Sequence, residues 1–216
     1  MDIALNDTEV RVLGCLIEKK VTTPEYYPLS VNALNNACNQ LSNRNPVVCY
    51  DEYTVIETLE GLRERDMVWR NNSGRVQKYG EKLAETCGFT KSETAIICIL
   101  MLRGPQTAGE IRAHTERLYQ FKDLGELTEI LTGLEDTGHI AKLARRPGHK
   151  ESRYIHLFSG VLDPMEQESV SSSQDVNVPV ITKSDRFTKL EQEIESLRQE
   201  MEELKQSLQD FRKQFE

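Results

Sequence analysis

The 216-residue sequence has no long hydrophobic run: the longest, at 95–102, spans eight residues. A membrane-spanning helix needs about 20, so no spanning segment is expected. The opening Met1-Asp2-Ile3-Ala4-Leu5-Asn6-Asp7 has no basic stretch leading into an apolar one, so no secretory signal is expected either. Cysteine is scarce and odd in number: Cys15, Cys38, Cys49, Cys87 and Cys98 are widely spaced, with no Cys-x-x-Cys pair. That pattern excludes a disulfide framework and points to buried, reduced thiols in a cytoplasmic protein. The histidines His114, His139, His149 and His156 form neither H-x-x-x-H nor H-E-x-x-H, and no cysteine lies within ten residues of any of them. No metal site is expected. Nucleotide-binding glycine loops and the G-x-S-x-G elbow are also missing, so no residue stands out as nucleophile or base. A non-enzymatic protein without cofactor is the expectation. Apolar residues make up 38% and mean hydropathy is −0.53, low enough that part of the chain should lie outside any core.

What is present is acid, repetition and a heptad. The formal charge is −8, distributed as −3 over 1–88, +1 over 89–160 and −6 over 161–216. The first two stretches read as two copies of one design. Each opens with a helix-start signal, Asn6-Asp7-Thr8-Glu9 and Thr90-Lys91-Ser92-Glu93, in which a capping side chain precedes a Glu that can reach back to the cap amide. Val10, Leu13, Leu16 and Ile17 are then matched at an 84-residue offset by Thr94, Ile97, Leu100 and Met101. A later helix in each copy carries Val55, Leu59, Leu62 and Leu127, Leu131, Leu134, the i, i+4, i+7 spacing of a face on a core. Each helix runs into a strand, a polar turn (Asn72-Ser73-Gly74; Pro147-Gly148) and a return strand ending in Lys78-Tyr79 or Arg153-Tyr154. With a further helix at about 30–39 and 108–118, three helices and a β-hairpin make a winged helix. The predicted fold is mainly α with small β-hairpins (α+β): winged-helix domains at 1–88 and 89–160, a linker at 161–185 and a coiled-coil helix at 186–216.

The linker is rich in Ser, Val, Gln and acid without a sustained period. From Phe187 the spacing becomes 3-4-3-4 through Leu190, Ile194, Leu197, Met201, Leu204, Leu208, Phe211 and Phe215, a dimerisation seam. In a parallel dimer the flanking pairs Arg186–Glu191, Glu193–Arg198 and Glu200–Lys205 all attract, whereas an antiparallel pairing opposes Arg198 and Lys205. A parallel homodimer is expected; the alternative is a helix that folds back on the winged-helix units.

A DNA-reading winged helix inserts its third helix into the major groove. Residues 51–66 hold six acids and two bases, and 123–138 hold five acids and no base. Carboxylates repel phosphates, so major-groove insertion of either helix is disfavoured. The wings are basic: Arg70, Arg75 and Lys78 edge the first, and Lys142, Arg145, Arg146, Lys150 and Arg153 face Glu151 alone in the second. Such a hairpin can track a backbone or enter a minor groove. The alternative is a solvated hairpin whose bases pair with Glu126, Glu129 or Glu135. The Asn-rich stretch 22–47 could bind adenine or simply cap helices and make turns.

Four spaced blocks resemble the YceH family of uncharacterised bacterial proteins: Thr22-Thr23-Pro24-Glu25-x-Tyr27-Pro28-Leu29-Ser30-Val31-Asn32; Ala37-Cys38-Asn39-Gln40-x-x-Asn43-Arg44-x-Pro46-Val47; Leu102-Arg103-Gly104-x-Gln106-Thr107-x-Gly109-Glu110; and Glu151-Ser152-Arg153-Tyr154-x-His156-Leu157-Phe158. The resemblance covers essentially the whole chain and implies a cytosolic bacterial protein with two winged-helix domains; it implies no activity. It singles out Tyr27, Asn32, Asn39, Gln40, Asn43 and Arg44 as motif residues without an assigned role. The region from Pro28 to Val68 is also similar to the core of MarR-type regulators, but with an insertion between the second and third helices and no basic start to the third. Fold-level analogy together with the basic wings gives the leading expectation: a dimeric protein binding duplex DNA in a regulatory or nucleoid-associated role. The alternative is a scaffold that binds an unidentified protein partner, similar to segregation and condensation protein B; an enzyme using the Asn-rich pocket is the third reading.

Overall fold

Six of the described helices start where a side chain answers a free amide. Asn6 caps α1 (Asp7–Thr22) and Thr90 caps α5 (Lys91–Arg103), each through a reciprocal bond with Glu9 or Glu93, so two orphan donors are satisfied at once. The computed structural model describes residues 3–145 and 151–159, all within the compact unit Met1–Gln167. Arg146, Lys150, the 161–185 linker and the dimerisation residues Leu190, Ile194, Leu197, Met201, Leu204 and Leu208 lie outside the described residues.

The architecture is α+β, with the same element order twice. After α1 come β1 (Leu29–Ser30), α2 (Val31–Cys38), α3 (Glu52–Glu64), β2 (Val68–Asn71) and β3 (Lys78–Glu81). A short α4 (Leu83–Thr86) leads to α5, then β4 (Gln106–Thr107), α6 (Ala108–Thr115), α7 (Leu124–Asp136), β5 (Ile140–Lys142) and β6 (Arg153–His156). Each copy forms an antiparallel three-stranded sheet with its return strand in the centre, in the orders β1-β3-β2 and β4-β6-β5. The registers correspond too, with Leu29 opposite Tyr79 in one sheet and Gln106 opposite Tyr154 in the other. The two-residue strands β1 and β4 are additions to the predicted hairpins.

The two copies meet through α1 and α5. Residues 9–17 of α1 and 95–102 of α5 are buried on every side; for α5 this is the expected state of a helix that is apolar all round, whereas α1 carries Glu9 and Arg11 within its buried stretch. Gly14 and Cys98, equivalent under the 84-residue offset, touch each other: the Cys98 thiol donates to the Gly14 carbonyl at 3.4 Å. A contact between equivalent residues is what a local two-fold places at its axis. Gly14 is required there, since a Cβ would lie 2.9 Å from Leu102 Cδ2 and 3.2 Å from Met101 Cβ. One continuous core therefore runs from Leu13 and Leu59 in the first copy to Leu100 and Leu131 in the second. All five thiols are free; Cys15, Cys38 and Cys98 are buried as expected, but Cys87 is only half-buried and Cys49 is exposed in the 39–51 loop.

Candidate nucleic-acid interface

The hairpins carry the candidate interface, and cross-strand packing sets their geometry. In β2–β3, Trp69 lies directly opposite Gly80, and a Cβ at Gly80 would sit 2.4 Å from the indole, so only glycine lets the ring lie flat on the strand. Tyr27 meets Trp69 edge-on, with ring centroids 6.5 Å apart, and its hydroxyl accepts from the Glu81 amide at 2.6 Å. Burial raises the Tyr27 pKa. In β5–β6, Lys142 stands opposite Tyr154, with its Nζ 5.7 Å from that ring's centroid, a cation–π contact. The ladder continues one step further, where the Leu143 amide donates to the Arg153 carbonyl at 2.7 Å.

The predicted basic residues divide by environment. Arg70 pairs with Glu60 at 3.2 Å and is half-buried, and Arg153 lies 3.9 Å from Glu110 with little exposure. Both hold the hairpin onto its own helices. Arg75 and Lys78 are exposed near the first tip, and Arg145 is exposed on the second; these three have no ion-pair partner among the described residues. The acids of α7 are engaged elsewhere or open: Glu126 accepts from the Tyr119 hydroxyl at 3.0 Å and the Lys122 amide at 2.7 Å. The bond to Glu126 and the charge of that carboxylate raise the pKa of the Tyr119 hydroxyl.

The third helices keep their own charge balance. In and after α3, Arg63 pairs with Glu60 at 2.5 Å and Arg65 with Glu9 at 3.0 Å, so both bases are consumed internally. Tyr53 is 73% exposed and Ile56 41% exposed on the same helix. The outward face of α3 is thus acidic and apolar.

Of the motif residues, Asn39, Gln40, Asn43 and Arg44 gather in the 39–51 loop around one buried arginine, while Tyr27 and Asn32 lie apart from them. Arg44, whose side chain is fully buried, pairs with Glu18 at 2.6 Å and donates to the carbonyls of Ala37 and Asn43 and to Gln40 Oε1. Burial alone would raise the Glu18 carboxyl, but hydrogen bonds from Arg44 and its charge hold it below its ordinary value. Asn39 clamps Tyr50, donating to its carbonyl at 2.7 Å and accepting from its amide at 2.8 Å. Asn43, at a positive φ of 60°, accepts from the Arg103 guanidinium of the second copy, and the Asn45 amide donates to the Leu102 carbonyl at 2.9 Å. Asn32 accepts from Asn36 at 2.9 Å on the exposed face of α2. Sequence reasoning marked these residues but missed their partners, which lie up to 60 positions away. Among the described residues no His, Cys, Asp and Glu cluster could hold a metal ion, and no helix is long and apolar enough to cross a membrane.

Comparison with known proteins supplies the family. A model described as a protein of unknown function, DUF480, matches residues 5–149. The chain is 46% identical to a UPF0502 protein of Pelobacter propionicus and 45% identical to one of Geobacter sulfurreducens, each over 219 residues covering 100% of both chains. A UPF0502 protein of Citrifermentans bemidjiense is 49% identical over the same full span. Matches of this identity from end to end leave one conclusion: the chain belongs to the DUF480, or UPF0502, family of bacterial proteins of unknown function, the YceH-like family its motif blocks resemble.

Proposed function

We infer that the chain is a non-enzymatic, cytoplasmic tandem winged-helix protein that binds duplex DNA through its hairpins, as a homodimer joined by the 186–216 coiled coil. The observation that carries this reading is the placement of Arg75, Lys78 and Arg145: they are exposed and not paired with acid among the described residues, while Glu126 of α7 is bonded to Tyr119 and Lys122. Exposed guanidinium and ammonium groups on two hairpins neutralise phosphates and release counterions. The acidic α3 and α7 stay out of the groove, so the mode is backbone tracking or minor-groove entry. Dimerisation doubles the number of hairpins and raises their effective concentration on one duplex.

The test is fluorescence anisotropy of the full-length protein on random-sequence duplex DNA, titrated with salt. Binding at about micromolar concentration and low salt is expected, weakening steeply as salt rises. An Arg75→Ala/Lys78→Ala variant and an Arg145→Ala/Arg146→Ala/Lys150→Ala variant should each flatten the salt slope by about one per lost phosphate contact. Absence of binding at low salt would overturn the reading.

A second reading rests on the exposed Tyr53 and Ile56 of α3, flanked by Glu52 and Glu57. An acidic helix face with an apolar centre fits a partner protein bearing a basic, apolar helix or strand, as a scaffold would require. A Tyr53→Ser/Ile56→Ser variant that keeps its DNA affinity but loses co-purifying partners would favour it.

A further inference from the structure

The near-equivalence of α1 and α5 makes the two ends of their contact comparable, and the ends are not alike. At one end the 39–51 loop covers the junction: Arg11 donates to the Pro46 carbonyl, and the Asn45 amide donates to the Leu102 carbonyl at 2.9 Å. At the other end the residue equivalent to Arg11 is Ala95, too short to hold a loop. The second copy also has less chain to offer there. Thirteen residues separate α2 from α3, whereas eight separate α6 from α7. The space that the first copy fills with its own backbone is left open beside α1's C-terminal turn.

That space is a cleft of about 750 Å³ lined by Ile17, Val21, Phe89, Ala95 and Leu118, within the size range of small-molecule sites. Val21 is 44% exposed, in the last turn of a helix whose 9–17 stretch is buried. The polar lining is asymmetric in its commitments. Glu81 has a side chain only 1% exposed and is answered within the fold by Lys20 at 2.7 Å and the Ala84 amide at 3.1 Å. Lys91 also lines the cleft. It is exposed and has no ion-pair partner among the described residues. It stands in the first turn of α5, whose N-terminal potential is already answered by Glu93, so what the cleft offers an acidic group is the ammonium itself. Of the two acids that line the cleft, Glu81 is thus answered and Glu85 is exposed.

We propose that this cleft is a binding site for a small amphipathic anion, its apolar body against Ile17, Val21, Phe89 and Leu118 and its acidic head at Lys91. Such a ligand spans the α1–α5 junction and braces the two copies against each other, independently of how the hairpins are used.

Two probes with one aromatic body separate the components: neutral N-phenyl-1-naphthylamine and anionic 8-anilino-1-naphthalenesulfonate, followed by fluorescence on the full-length protein. Both should bind saturably at one per chain, the sulfonate more tightly. Val21→Trp, at an exposed position, fills the cleft and should weaken both at least tenfold while circular dichroism and the melting temperature stay unchanged. Lys91→Glu should weaken the sulfonate about tenfold and the neutral probe less than twofold; Glu85→Gln should strengthen the sulfonate. No saturable binding to the native protein, or binding indifferent to Val21→Trp, overturns the site. Equal loss of both probes in Lys91→Glu overturns the anionic head.

Discussion

Arg44 shows how a polar residue in a motif can be structural. Its guanidinium is buried against Glu18, with three further acceptors around it. Removing one partner of such a pair leaves an unanswered charge, whereas removing both can be nearly neutral. Glu18→Leu alone should therefore cost about 3–5 kcal/mol, and Glu18→Leu/Arg44→Met distinctly less than the sum of the singles, read from urea unfolding of all three variants. His156 provides the pH counterpart. Burial depresses its pKa to about 4, with Asp7 opposing only weakly, and its Nδ1 has no hydrogen-bond partner among the described residues. The unfolded chain takes up the proton near 6.5 but the folded chain resists until about 4, so stability is full above that window and is lost as pH falls through it. Between pH 7 and 5 the loss from this one group is about 2 kcal/mol. His156→Phe should remove that part of the pH dependence, leaving the smaller share of His114 and His139, whose pKa values burial also lowers. An unchanged slope in the variant would mean His156 is already solvated.

Helix starts and hairpins were legible because their signals are local. The capping boxes at Asn6 and Thr90 formed as their residues dictate, and apolar spacing placed Leu59 and Leu131 in the core. β1 and β4 were not legible, since two residues carry no period and each strand exists only because β3 or β6 offers an edge. The run at 95–102 spoke only against a membrane helix, yet its lack of a polar face was the mark of a helix buried on both sides. The 39–51 loop was opaque for the opposite reason: its polar residues find partners across the fold rather than next to them. Of the candidate interface, sequence marked the hairpin bases, but not that Arg70 and Arg153 are tied down by Glu60 and Glu110. The β2–β3 pair also rests on a close approach that composition hides. Gly80→Ala pushes a methyl into Trp69 and should destabilise by about 1–3 kcal/mol, the cost of overpacking. The indole emission of Trp69, the only tryptophan in the chain, should shift as its ring is lifted off the strand.

Two similar copies could behave as two domains or as one folding unit, and the α1–α5 contact decides between these. Neither helix has a solvent-facing side over its buried stretch, so separating the copies would expose the faces on which Gly14 of α1 meets Cys98, Met101 and Leu102 of α5. Each large side chain so exposed forfeits roughly 1.5–3 kcal/mol, far more than either copy's small core can lose and remain folded. The loop bonds from Asn43 and Asn45 to Arg103 and Leu102 act in the same direction. The described unit should therefore unfold in a single transition whichever copy is damaged. Leu59→Ala in the first copy and Leu131→Ala in the second should each lower the same midpoint, by about 2–5 kcal/mol, with coincident curves by far-ultraviolet circular dichroism and Trp69 fluorescence. Because Trp69 belongs to the first copy, the decisive variant is Leu131→Ala. If its fluorescence midpoint stayed at the native value while the dichroism split in two, the copies would be independent domains. A common shift means that any ligand bracing the α1–α5 junction stabilises both hairpin-bearing halves together.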